Sequence, residues 1–331
     1  MEHESYLDVI KNYGQPPRQS TFASYMETTF NVLSNLGSGG FGSVFEVKHR
    51  NTERSYAIKR VKIERNKGVD YAIREMLVLK ALNHPNIVRY FDSWLERTPS
   101  DFCYDHYYYY NCNKSSCNLT KAVASRCNCC PVNPHSNDMK IFFFIQMELC
   151  LTGSLKDWLF FTAPNRVKAD SLDVFRQIVD GVAYIHSKNL IHRDLKPCNI
   201  FFSLNGVVKI GDFGLVTSMD NHGNNEELDN SIEQSHTRGA GTQLYMSPEV
   251  YYTKTYDNKA DIFALGMILY ELMVPYSNEE DRTRGLIDLR RAIYNVVFVL
   301  NDIHEFHSVV NMMCINPDDR PTIFEVREMF S

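Results

Sequence analysis

His192-Arg193-Asp194-Leu195-Lys196-Pro197-Cys198-Asn199 places a carboxylate, an ammonium and an amide at fixed offsets, and thirteen residues after Asn199 the chain reads Asp212-Phe213-Gly214. Transfer of a phosphoryl group asks for such a set: a carboxylate that orients an attacking hydroxyl, a cation against the phosphate, and two hard oxygen ligands for Mg²⁺. On this reading Asp194 is the catalytic base, Lys196 neutralises the transferring phosphate, and Asn199 and Asp212 are the metal ligands. Either string alone carries little weight. Together, in this order and at this spacing, they are a specific signature.

Working upstream, Gly37-Ser38-Gly39-Gly40-Phe41-Gly42-Ser43-Val44 is a glycine-rich turn between two strand-like runs, Phe30 to Ser34 and Val44 to Val47. Glycine lets backbone approach a phosphate and take positive φ. The next β-rich run, Tyr56-Ala57-Ile58-Lys59, carries a lysine on an apolar strand, which is costly unless paired. Its expected partner is Glu75, sixteen residues on, in a helix read over Ala72 to Leu82 with Ile73, Met76, Leu77, Leu79 and Leu82 on one apolar face. Such a pair would hold Lys59 against nucleotide phosphates.

Ile87 to Phe91 and Ile141 to Ile145 read as buried strands, and between them residues 98–138 form an insert rich in Tyr, Asn, Cys and Ser. The first 29 residues are polar, with Pro16-Pro17, and read as a flexible leader. Beyond Cys150 the pattern turns helical. Leu172, Phe175, Ile178, Val179, Val182 and Ile185 share a face behind a cap at Ser171, and the apolar run Asp261 to Val274 reads as a buried helix. The first half is thus mostly strand and the second mostly helix, an α+β arrangement with no internal repeat.

The 331 residues suffice for one large or two smaller units, and 44% hydrophobic content supplies sizeable cores. A net charge of −5 with no dense Lys/Arg run gives no sign of nucleic-acid binding. The longest apolar candidate, Ile141 to Leu151, carries Gln146 and Glu148 and is too short to span a bilayer. The polar opening residues give no secretory signal, so a reduced, cytoplasmic setting is expected. Six of the nine cysteines fall between Cys103 and Cys130. Cys112 and Cys117 are too far apart for the C-x2-C spacing of zinc sites, adjacent Cys129 and Cys130 beside Cys127 can hardly both ligate one tetrahedral ion, and free thiols are the better reading.

These motifs resemble a eukaryotic protein kinase from Phe30 to Phe330, with Ser247-Pro248-Glu249 in the place of the kinase A-P-E string. Finer strings narrow the likeness: Ile87-Val88-Arg89-Tyr90-Phe91, Ile145-Gln146-Met147-Glu148, Val208-Lys209-Ile210-Gly211 and Leu244-Tyr245-Met246 are similar to those of the initiation factor 2 α-subunit kinases, above all the double-stranded-RNA-activated and endoplasmic-reticulum stress members. The resemblance implies a bilobal kinase fold. A small antiparallel β N-lobe with one main helix would span 30–147, interrupted by the insert. A hinge at 148–152 would follow, then a larger, mostly helical C-lobe at 153–331. It implies ATP and Mg²⁺ as cofactors. The nucleotide would contact Leu36, Gly37 through Val44, Ala57, Lys59, Met147 and Glu148. It implies transfer to a serine of the initiation factor 2 α subunit, which lowers translation under stress, and Lys196 at its offset fits a Ser/Thr acceptor. Thr237 and Thr242 align with the activation-loop phosphorylation region between Gly214 and Ser247. Thr242 there takes a local role near Asp194 and Lys196, and a phosphate on Thr237 would meet Arg193. Arg320 would pair with Glu249, and Tyr90 matches a position used in N-lobe homodimers.

The chain also departs from that family. An Arg and an Asp that form a dimer salt bridge are replaced by Tyr25 and Thr29, and the Ser-Thr pair opening the substrate-docking helix is replaced by Ser277-Asn278, with Asp281 retained. Two other readings therefore stand beside the first: a Ser/Thr kinase with another protein substrate, and a catalytically silent dimerising inhibitor of related kinases.

Overall fold

The computed structural model describes residues 24–39, 42–63, 69–99, 139–219, 242–253, 257–295 and 304–331. Most of the leader, Gly40, Phe41, most of the insert with its six cysteines, and Thr237 lie outside the described residues. By its contacts the chain divides into two units, one holding residues up to Met76 with Tyr90–Leu149, the other Leu77–Arg89 with Cys150–Ser331.

The first unit is built on helix α1 (Tyr25–Thr29) and strands β1 (Phe30–Gly39), β2 (Gly42–His49), β3 (Ser55–Ile63), β4 (Tyr90–Pro99) and β5 (Met139–Met147). The strands form one antiparallel sheet in the order β1-β2-β3-β5-β4. Alternation along β3 sends Ala57 and Lys59 to one face and Ile58 and Arg60 to the other. The Ile58 face builds a core with Phe45, Val47, Phe142, Phe144, Phe30 and Met26. Trp94 stacks on Phe30 and Phe144 at centroid distances of 6.0 and 5.2 Å. Helix α2 (Val69–Ala81) follows β3.

Residues 24–29 correct the leader boundary. They form a helix whose N-cap is Ser24, and Met26 is fully buried. Glu96 on β4 holds that helix, accepting from the Met26 amide at 2.8 Å, from the Ser24 hydroxyl and from Trp94 Nε1 at 2.7 Å. Composition alone missed it because one buried methionine and one distant carboxylate supply the anchoring. Two strand and helix expectations also shift. Ile87 and Val88 are buried but precede β4; the Val88 amide donates to Ile210 O and the Ile210 amide to Asn86 O, both at 2.9 Å, while Phe91 is exposed. Leu77 on α2 is half exposed rather than part of the apolar face.

The second unit holds helices α3 (Leu155–Thr162), α4 (Lys168–Ser187), α5 (Pro248–Thr253), α6 (Lys259–Met273), α7 (Glu279–Asn295), α8 (His304–Met312) and α9 (Ile323–Met329). Its short strand pairs are β6 (Leu190–Ile191) with β9 (Thr217–Ser218), and β7 (Ile200–Phe202) with β8 (Val208–Ile210). Helix α4 begins at Lys168, so Ser171 lies inside it instead of capping it, and the buried Ser171 hydroxyl donates to Leu272 O at 2.9 Å. Helix α6 is apolar and buried almost all round, as its sequence predicts, yet it also buries Asp261 and Glu271. Both carboxylates recur below.

Candidate active site

In the first unit the glycine-rich turn joins β1 to β2, with Gly37 opposite Val44 and Gly39 opposite Gly42. Leu36 occupies the irregular step between the Asn35–Phe45 and Gly37–Val44 pairs. Gly42 takes φ +121°, and a Cβ there would meet Arg60 O at 2.1 Å, so only glycine fits this close approach to β3. Val44 pairs with Lys59, and Ala57 with Met147, which places Val44, Ala57 and Lys59 on the sheet face opposite the Phe45 core. Glu148 follows directly after β5. The predicted ion pair is formed: Lys59 Nζ lies 2.8 and 2.7 Å from the two Glu75 oxygens, with both residues buried. A buried lysine needs this partner to stay charged.

In the second unit the run from His192 to Asn199 is fixed from beneath by Asp261, on the first turn of α6. Its carboxylate accepts from the His192 amide at 2.8 Å, the Arg193 amide at 2.9 Å and His186 Nε2 at 2.8 Å. Burial alone would push Asp261 up, but the hydrogen bonds from His186 and from the His192 amide outweigh it and hold the carboxyl below its ordinary value. His192 Nε2 donates to Gly211 O at 3.1 Å, and its Nδ1 accepts from the Asp194 amide at 3.3 Å. Arg193 and Asp212 both sit at positive φ, +69° and +59°, a strained state for residues with a Cβ.

Asp194 receives Lys196 Nζ on both oxygens, at 2.9 and 2.8 Å, and the Asn199 amide on Oδ2 at 2.8 Å; Asn199 also donates to Asp194 O at 2.9 Å. Burial raises the Asp194 pKa, Lys196 pulls it back, and Asp212 adds to the rise. Asn199 spends its nitrogen on Asp194, which leaves its amide oxygen to face a cation. Among the described residues, no group of three or more His, Cys, Asp or Glu is placed to hold a metal unaided. Two hard oxygens from Asn199 and Asp212 suit Mg²⁺, which takes few protein ligands and completes its shell with waters and substrate phosphates. Thr242 opens a short 3₁₀ turn, Thr242–Tyr245.

The predicted Arg320–Glu249 pair is bidentate, 2.7 Å at each contact. Asn278, the departure at the start of α7, forms a reciprocal cap: its Oδ1 accepts from the Asp281 amide at 2.8 Å and its Nδ2 donates to Asp281 Oδ2 at 2.7 Å. The helix start is therefore kept with different side chains. Sequence reasoning missed the support from His186 and Asp261, and missed a second buried cluster of Tyr245, Glu271 and Arg282. The available signal was two carboxylates in a helix otherwise suited to a core, since a buried charge demands partners.

A protein-family model described as "Protein kinase domain" matches residues 30–329. The chain is 38% identical over 308 residues to the interferon-induced, double-stranded RNA-activated protein kinase of Mus musculus, covering 92% of this chain and 51% of that protein. It is 39% identical over 217 residues to eukaryotic translation initiation factor 2-alpha kinase 3 of Bos taurus, 64% of this chain and 19% of the relative. Against the eIF-2-alpha kinase GCN2 of Schizosaccharomyces pombe the figure is 30% over 371 residues, 92% of this chain and 23% of the relative. The chain thus spans about half the length of the first of these relatives and less of the others. With the matched span running through the glycine-rich turn, the Lys59–Glu75 pair and the Asp194 loop alike, the chain belongs to the protein kinase domain family.

Proposed function

We propose that this chain is an ATP-dependent serine/threonine kinase that phosphorylates the α subunit of translation initiation factor 2 and so lowers translation during stress in the cytoplasm. The observation that carries the chemistry is the Asp194 carboxylate, held by Lys196 and Asn199 on a loop bonded to Asp261. Asp194 accepts the hydrogen bond of the acceptor hydroxyl and aims its oxygen in line. Lys196, now on Asp194, turns to the transferring phosphate and neutralises its charge. Mg-ATP, when bound, would supply the phosphoryl group, and Asn199 and Asp212 would hold the metal. Lys59, oriented by Glu75, holds the α- and β-phosphates, while Leu36, Gly37 through Val44, Ala57, Met147 and Glu148 take the rest of the nucleotide. The complete, paired set argues against a silent inhibitor.

The substrate reading is supported by the printed names of the relatives and by the retained cap of α7, which we read as the helix that docks the acceptor. Thr237 and Thr242 are proposed as phosphorylation sites of the activation loop. A homodimer through the first unit is proposed by resemblance only, since Tyr25 and Thr29 replace the salt-bridge residues. Among the described residues, no helix is long and apolar enough to cross a membrane. The deciding experiment is incubation of the purified chain with Mg-ATP and the factor's α subunit, with Asp194→Asn as control. One labelled serine on that subunit is expected. Labelling of other proteins with none on the subunit would reject the substrate.

A further inference from the structure

Glu271, at the end of α6, is 1% exposed, and the phosphoryl-transfer chemistry leaves it without a task. Arg282 Nε donates to its Oε1 at 2.5 Å, the Tyr245 hydroxyl donates to its Oε2 at 2.5 Å, and Arg282 Nη2 donates to the Tyr245 oxygen. The three side chains close a buried triangle joining α6, α7 and the 3₁₀ turn at 242–245. Arg282 Nη1 also donates to Glu279 Oε1 at 2.8 Å, on the first turn of α7. Eight residues further along α7, Arg290 donates to the carbonyls on either side of Tyr245, Leu244 O at 2.7 Å and Met246 O at 2.6 Å. Helix α7 is thereby fastened to residues 244–246 twice, once through a side chain and once through the backbone. The cluster is also tied to the catalytic loop through α6 itself, which carries Glu271 near one end and, on its first turn, the Asp261 that accepts from the His192 and Arg193 amides.

Three apolar side chains would pack this junction at lower desolvation cost, because a buried ion pair is a weak stabiliser. What a directional triangle adds is a single register between the parts it joins. The outer face of α7 is open, with Glu280, Arg284 and Asp288 exposed beside Thr283 and Ile287.

We propose that Tyr245, Glu271 and Arg282 are positioning residues for the protein acceptor. They lock the open face of α7 in register with residues 242–246 and the Asp194 loop, so that an acceptor docked on α7 delivers its hydroxyl to the base. The inference rests on the reading of the chain as a kinase acting on a folded protein. It makes Tyr245 matter for a folded acceptor that spans both places and not for a short peptide that reaches only the loop.

The test is steady-state kinetics of the full chain with Mg-ATP and two acceptors, the folded α subunit and a short peptide carrying its acceptor serine. Tyr245→Phe keeps the ring and removes two hydrogen bonds to charged groups. It is expected to raise KM for the folded subunit at least about tenfold, the effect of losing even one such bond, with KM for ATP and turnover of the peptide unchanged. Arg290→Lys, which keeps the charge but not the two-carbonyl grip, is expected to shift the same KM in the same direction and keeps the test decisive should Tyr245→Phe not fold. Equal losses on both acceptors, or an unchanged KM for the folded subunit in a folded variant, would overturn the proposal. If the wild-type chain labels a different protein and not the subunit, the substrate reading fails by itself. The comparison then runs on that protein and a peptide cut from it, and the same KM split sustains the positioning role.

Discussion

Asp194 faces two opposed demands. Its burial favours the neutral acid, whereas a base must be ionised; Lys196 offsets part of the rise, and Asn199 donates to the same carboxylate. Asp194→Asn preserves shape and removes the charge. Phosphate incorporation should fall by about 10²–10⁴-fold, the usual worth of a positioned general base, with KM for ATP little changed in a filter-binding assay. At Lys59 the expectation concerns stability as well. Glu75→Gln strands a buried ammonium, and removing one partner of such a pair costs about 3–5 kcal/mol. A clear loss in urea denaturation midpoint should accompany the loss of activity, and an unchanged midpoint would show that Lys59 finds another partner.

At the scale of elements, the short motifs were legible because each is local. The glycine-rich turn, the Lys59 strand and the Asp194 loop each carry their signature within a short run of neighbouring residues, and strands β1, β2, β3 and β5 form where their β-branched and aromatic residues cluster. Elements held by distant partners were not legible. Helix α1 exists because Met26 fills the core beside Phe45 and Phe144 while Glu96, seventy residues on, takes its amide. Met26→Ala should therefore cost about 2–5 kcal/mol, the range for deleting a buried side chain of this size, read as an earlier denaturation midpoint of the sheet-bearing unit. Helix α7 gives the complementary case. Asn278→Ala removes its reciprocal cap and should cost about 1 kcal/mol, visible in thermal melts, whereas Asn278→Ser should be close to neutral.

For the whole molecule, the same division between local and distant partners decides what could be read ahead. The chemistry of the site is written in two strings, but its rigidity is contributed by Asp261 and Glu271, whose partners lie from 11 to 75 residues away. Long-range ion pairs also set the acid limit of the fold. Burial alone would raise Glu249, but the bidentate Arg320 bonds outweigh it and hold the carboxyl below its ordinary 4.5. Around that value the unfolded chain binds more protons than the native one. The stabilisation is complete above 4.5 and is lost as pH falls through the lower folded value. Melting temperatures of wild type and Glu249→Gln should accordingly differ most near neutrality and converge in acid. Finally, the amides of His192 and Arg193 end on a carboxylate rooted in a helix that is buried almost all round. Their hydrogens should exchange with deuterated solvent only when that helix itself comes apart, on the slow clock of global opening. The loop that performs the chemistry would then number among the stillest backbone in the chain.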